Sequence, residues 1–271
     1  MSDYGSTTEP CLKREYVIVV GAEDYYERPG NKMMFMAQAV RYVRRHGSRF
    51  DIRTVLYFRG GPGVHTDGQV AALTASVKKY GGTAKEVRGW GEVASHINTR
   101  TVDGCQKRVQ VLIFFAHGSP GRIWLSADEG LFLTAGDLGR VDAGSFTPKR
   151  DRNPRYTFRH VTSWACQTGN AGQEGSAEQN LKNSLAQEMA DSWDIQARAS
   201  ITQTNYGGTW AGWRPWDTND DRRNIDNAVW EDDGADGSVV SGGGSAQGDM
   251  PTGMYLLNPG QSSGYRTADL D

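Results

Sequence analysis

The sequence predicts an α/β protein, a three-layer sandwich built on a mostly parallel central sheet. Three observations predict it. Short β-branched and aromatic runs alternate along the chain with helix-length amphipathic segments. Glycine closes several of the runs. The strongest runs are nearly continuous in apolar residues, as strands covered on both faces are. The 271 residues, 37% of them apolar, are enough to fill one core of this kind.

Residues 16–22 (Tyr-Val-Ile-Val-Val-Gly-Ala) read as a buried strand that ends in glycine. Residues 31–46 carry apolar side chains at Met33, Met34, Ala37, Val40, Tyr42 and Val43, with Asn31 as N-cap, and read as helix. A second strand at 51–58 is closed by the turn Arg59-Gly60-Gly61-Pro62-Gly63. That turn lacks the glycine spacing and the lysine of a phosphate-binding loop, and Pro62 removes an N–H donor. Residues 67–80 are helical up to Gly81-Gly82, 83–87 form a weaker strand and 90–98 a short helix.

Residues 109–116 are the strongest strand of the sequence. Residues 122–127 and 129–134 form a hairpin turning at Asp128-Glu129-Gly130. A strand at 157–165, a helix at 177–193 and a last clear strand at 195–204 complete the alternation. Beyond Tyr206 the periodicity is lost. The reading is therefore one domain: an N-terminal tail at 1–14, a core at 15–210 and irregular C-terminal loops at 211–271 that line a substrate cleft.

Thirty basic and 32 acidic residues are mixed along the chain and leave a net charge of -2. No global field draws this protein to nucleic acid or to a membrane surface. No apolar run is long enough to span a bilayer. Cys11, Cys105 and Cys166 are too few and too scattered for a disulfide framework or a zinc site, so a reducing, cytoplasmic setting is expected. Residues 1–10 are polar and contain no signal-peptide core, while export without a cleavable signal stays open.

Chemistry is expected where parallel strands finish, because ligands collect beyond their carboxyl ends. The strand at 109–116 ends in His117-Gly118, and the strand at 157–165 ends in Cys166-Gln167-Thr168-Gly169. If both are parallel, the imidazole and the thiol leave the sheet on one rim. A thiolate is the attacking species, and a nearby imidazole takes its proton and returns it to a leaving amine. Gly118 lets substrate backbone approach, and its N–H with that of Cys166 forms an oxyanion site. A single strand-end cysteine is ordinarily core packing; its pairing with a His-Gly strand end is what makes it a nucleophile candidate. His46, His65, His96 and His160 have no such partner, and Cys11 and Cys105 merely precede strands.

Phe115-Ala116-His117-Gly118 and Ser163-Trp164-Ala165-Cys166-Gln167-Thr168-Gly169 resemble the His-Gly and Ala-Cys motifs of the caspase-like superfamily, clan CD. That superfamily includes caspases, metacaspases, gingipains, clostripain, separase and bacterial CHAT-type peptidases. The 49 positions from His117 to Cys166 match the roughly 50 of caspases. Residues 121–138 also resemble the family's hairpin and the turn before its cysteine strand. The resemblance implies a caspase-like topology and a cysteine endopeptidase, or thiol protease, working through a Cys-His dyad and an acyl-enzyme. It implies a protein or peptide substrate and no metal for the chemical step. Calcium is a further candidate ligand, at 217–221 and 232–236, since some relatives are calcium-stimulated.

Substrate contacts are expected from Trp164, Gln167, Trp210, Arg214 and Asp217, with Trp213 and Trp216 beside them. Two departures matter. Trp164 stands where caspases carry glutamine, and Thr168 separates Gln167 from Gly169. Both speak against aspartate specificity, and the match resembles a distant bacterial-type branch of that superfamily. Asp217, Asp220 and Asp221 outnumber Arg214, which tips the expected preference slightly towards a basic residue before the scissile bond. The glycine- and aspartate-rich 232–249 stretch suits autoprocessing. Two other readings stand beside this one: a catalytically inactive caspase-like binding or scaffolding module, and a peptidase acting as a toxin or effector.

Overall fold

The computed structural model describes residues 11–24, 32–148, 159–172, 176–206, 209, 240–241, 253–261 and 265–267. Strand β1 (Leu12–Val20) leads to helix α1 (Met34–His46), then β2 (Ile52–Tyr57), α2 (Asp67–Lys79), β3 (Thr83–Glu86) and α3 (Trp90–Asn98). The short β4 (Thr101–Val102) turns into the long β5 (Cys105–Phe115). Next come β6 (His117–Ser119), β7 (Arg122–Ser126) and β8 (Leu131–Thr134), which form a separate three-stranded sheet. After β9 (His160–Ser163) follow α4 (Ala177–Lys182), α5 (Leu185–Trp193) and β10 (Gln196–Ser200). The chain closes with β11 (Thr204–Asn205), β12 (Val240–Ser241), β13 (Met254–Leu257) and β14 (Tyr265–Thr267).

The central sheet runs β14-β13-β10-β9-β5-β1-β2-β3, with β4 paired to β5. From β3 across to β10 every neighbour is parallel, while β13 and β14 join antiparallel. The protein is thus a mixed α/β fold with a mostly parallel sheet flanked by helices, arranged as three layers. Strand alternation sends Val17, Val19, Leu112 and Phe114 into one core with α3 and α5. Tyr16, Ile18, Val20, Ile113 and Phe115 face the other core with α1 and α2. Burial on both faces is why β1 and β5 read as continuous apolar runs.

Three expectations change. The 177–193 helix is two helices, because Ser184 caps the second: its Oγ accepts from Gln187 N–H at 3.2 Å and donates to Leu181 O at 2.7 Å. The C-terminal segment is not wholly irregular, since β13 pairs with β10 from Met254 to Leu257 and extends the central sheet. Its four residues are too short a run to stand out in a sequence. Cys11 and Cys105 form a disulfide across 94 positions. The parallel register of β1 on β5, continued by Gln106 N–H to Cys11 O at 2.8 Å, brings them together. Cysteine spacing therefore gives no support to a reducing compartment. Among the described residues no helix is long and apolar enough to cross a membrane.

Away from the carboxyl rim, Glu15 is 0% exposed and meets Lys107 Nζ at 2.6 Å and His96 Nε2 at 2.8 Å. Thr54 Oγ1 donates to the same carboxylate at 2.7 Å, and Lys107 Nζ also reaches His96 O. Burial pushes the Glu15 carboxyl up, but His96 and Lys107 outweigh it and hold it below its ordinary value. Glu15→Gln strands a lysine that is 4% exposed. Urea unfolding is expected to show a loss of about 3–5 kcal/mol, with much of it recovered in Glu15→Leu/Lys107→Met.

Burial, assisted by the charge of Lys32, lowers the His65 imidazole to about 4. The unfolded chain therefore takes up the proton first, and stability present above about 6.5 is lost as pH falls towards 4. Thermal or urea unfolding between pH 7 and 4 is expected to reveal a loss of about 3 kcal/mol that His65→Leu removes.

Candidate active site

Strands β1, β5 and β9 are neighbours at the middle of the sheet and end on the same rim. β5 pairs with β9 from Val111 with His160 to Phe114 with Ser163, and Trp164 N–H donates to Phe114 O at 3.0 Å. Counting onward along both strands sets His117 opposite Cys166. The backbones touch there. A Cβ built on Gly118 would lie 2.6 Å from Cys166 O and 3.0 Å from Cys166 N. Only glycine fits at 118, and the requirement is close approach.

The end of β1 threads into the same place. Gly21 N–H donates to Phe115 O and Ala22 N–H to Leu125 O, both at 2.8 Å. A Cβ on Gly21 would sit 2.7 Å from Ala116 Cβ and 2.8 Å from Trp124 O, so this crossing too demands glycine. Two residues later the fully buried Glu23 places Oε2 2.7 Å from His117 Nε2. The His117 side chain keeps 20% exposure. Its ring meets Phe35 edge-on at 5.0 Å between centroids, and Trp124 lies 6.3 Å away. A buried carboxylate thus lies at ion-pair distance from Nε2.

Cys166 is the one cysteine outside the disulfide. Thr204 N–H donates to its sulfur at 3.4 Å, and Thr204 Oγ1 lies at the same distance. The Thr204 hydroxyl donates to Trp164 O at 2.7 Å, so towards the sulfur it presents a lone pair. Tyr206 Oη donates to the same carbonyl at 3.1 Å. Burial, with Cys166, Tyr42 and Glu23 nearby, pushes the Tyr206 hydroxyl well above its ordinary value and keeps it a donor.

The turn after the cysteine is pinned on every side. Thr168 is 0% exposed, donates to Ala165 O at 2.8 Å and shares a 2.8 Å contact with Ser163 Oγ. Its carbonyl accepts from Ala186 N–H in the first turn of α5, while Gly169 N–H reaches Ser200 O. This gives Thr168, one of the two departures from the caspase motif, a structural task. Gln167 sits at φ 56°, a left-handed conformation for a half-buried non-glycine residue. Its N–H is donated to Thr202 O at 3.0 Å, so it is not an oxyanion donor; the Gly118 and Cys166 amides remain the candidates.

Trp164, expected on the cleft, is 1% exposed and packs in the core on the α1 side of the sheet. It is held inward because the residue after β9 continues the strand alternation. Trp210, Arg214 and Asp217 lie outside the described residues, as do Trp213, Trp216, the 217–221 and 232–236 stretches and the 232–249 segment. Among the described residues no group of three or more His, Cys, Asp or Glu is gathered to hold a metal. Sequence reasoning missed Glu23, Thr204 and Tyr206. The signal for Glu23 was present: it follows the glycine at the end of a third parallel strand. No comparable signal marks Thr204 or Tyr206.

Comparison with known proteins finds no matching family model, no similar curated protein and no similar solved structure. The resemblance to caspase-like peptidases rests on the residues of this chain.

Proposed function

We propose that this chain is a cysteine endopeptidase of caspase-like topology, with Cys166 as nucleophile and His117 as its base. The observation that carries the reading is the contact at Gly118. It joins the His-bearing and Cys-bearing strand ends backbone to backbone, beside a carboxylate turned to the imidazole.

His117, with Nε2 towards Glu23, uses Nδ1 to take the thiol proton. The Cys166 sulfur adds to the substrate carbonyl carbon, and the negative charge that develops on oxygen faces the Gly118 and Cys166 N–H groups. The C–N bond then breaks as His117 returns the proton to the amine. Water, deprotonated by His117, adds to the thioester carbon, and the C–S bond breaks to release the acid and restore the thiol. Glu23 stabilises the imidazolium in both halves. Thr204, with its N–H and its Oγ1 both 3.4 Å from the sulfur, holds the thiol in place.

The test is digestion of a protein-derived peptide library by wild type and by Cys166→Ala, with products read by mass spectrometry. New termini formed by wild type alone support the reading. Identical product sets from both would remove it in favour of the binding or scaffolding role.

A further inference from the structure

The small β6-β7-β8 sheet has two unlike faces. Ile123 and Leu133, at 0% exposure, pack into the core below it, and Gly118 pairs with Ile123 on that side. Side chains two apart share a face, so the opposite face carries His117 on β6, Trp124 on β7 and Phe132 on β8. They are register partners: His117 pairs with Trp124, and Trp124 pairs with Phe132. The indole lies 6.3 Å from the imidazole and 6.2 Å, edge to face, from the Phe132 ring. All three side chains are half-buried. The row is also held in place. Trp124 Nε1 donates to Ser119 Oγ at 3.1 Å, and the exposed Arg122 guanidinium covers Phe132 at 5.4 Å.

From this row we infer that Trp124 and Phe132 form the subsite for the first residue on the amine side of the scissile bond, selecting a bulky apolar or aromatic side chain. The inference rests on the peptidase reading. In that chemistry His117 delivers its proton to the leaving amine, so the residue bearing that amine lies against His117. The next surface outward from the imidazole on its own sheet face is the Trp124 ring, followed by Phe132. Two rigid aromatic rings at nearly right angles offer a face and an edge to an apolar side chain, with the Arg122 guanidinium lying over the outer ring. Specificity on the acyl side, where Trp210, Arg214 and Asp217 were expected, is a separate matter.

New N-termini produced from a peptide library report this residue directly. Wild type is expected to yield termini enriched about tenfold in Phe, Tyr, Trp, Leu and Met over Gly and Ser. Trp124→Ala is expected to cut that ratio to about twofold. Phe132→Ala, at the far end of the row and away from His117, should lower the ratio as well. Wild-type termini without apolar enrichment would overturn the subsite, as would an unchanged ratio in both variants. Absence of any new termini relative to Cys166→Ala would instead sink the peptidase reading, and this inference with it.

Discussion

Cys166→Ala is expected to lower kcat/KM for peptide hydrolysis by about 10⁴-fold or more, and His117→Ala by about 10²–10⁴-fold. The two residues act on one proton, so the double variant should be little worse than the more damaging single one. Glu23→Gln keeps the shape of the buried side chain and removes its charge, and is expected to cost about 10–10²-fold in kcat. Because Glu23 is 0% exposed and faces His117 rather than solvent, that loss should appear in kcat with KM nearly unchanged. Initial rates on a cleaved library peptide measure all four. Full activity in His117→Ala would mean that the imidazole is a bystander.

Gly118→Ala is the second large effect, and it tests the geometry rather than the chemistry. The added methyl meets the backbone of Cys166, at 2.6 Å from O and 3.0 Å from N, and backbone has no rotamer by which to move away. The two strand ends must separate, which pulls an oxyanion donor and the base out of line together. A loss of about 10²–10³-fold in kcat is expected, the size seen when one oxyanion donor is removed or a reacting group is displaced by about 1 Å. Urea unfolding of the same variant should show the central sheet retained, since the clash lies beyond the last ladder pairs of β5 and β9, between the short strand β6 and the turn after β9. Activity within twofold of wild type would contradict the contact.

Much of this was legible in the sequence for a physical reason. β1, β2 and β5 are covered on both faces, so their apolar runs are unbroken, and α3 starts and stops where its pattern does. The meeting of the Gly118 and Cys166 backbones followed from two parallel strands that end on one rim. What stayed hidden depends on contacts rather than periodicity. The break at Ser184 is a hydroxyl capping a helix inside a run of good helix formers. The Cys11–Cys105 bridge follows from register, which spacing along the chain does not encode. Trp164 looked like a substrate contact because it lies two residues before Cys166, yet strand alternation turns it inward. Thr204 and Tyr206 reach the site only because β10 lies beside β9 and carries the following segment back across the rim.

The most direct measurement is the alkylation rate of Cys166 by iodoacetamide at neutral pH, followed by intact mass. The Cys11–Cys105 bridge leaves a single reactive thiol, so one rate constant describes the protein. If the imidazole draws the proton from this sulfur, wild-type Cys166 reacts about tenfold or more faster than an unstructured peptide thiol, and His117→Ala removes the advantage. Equal rates in wild type, His117→Ala and the peptide would contradict the account.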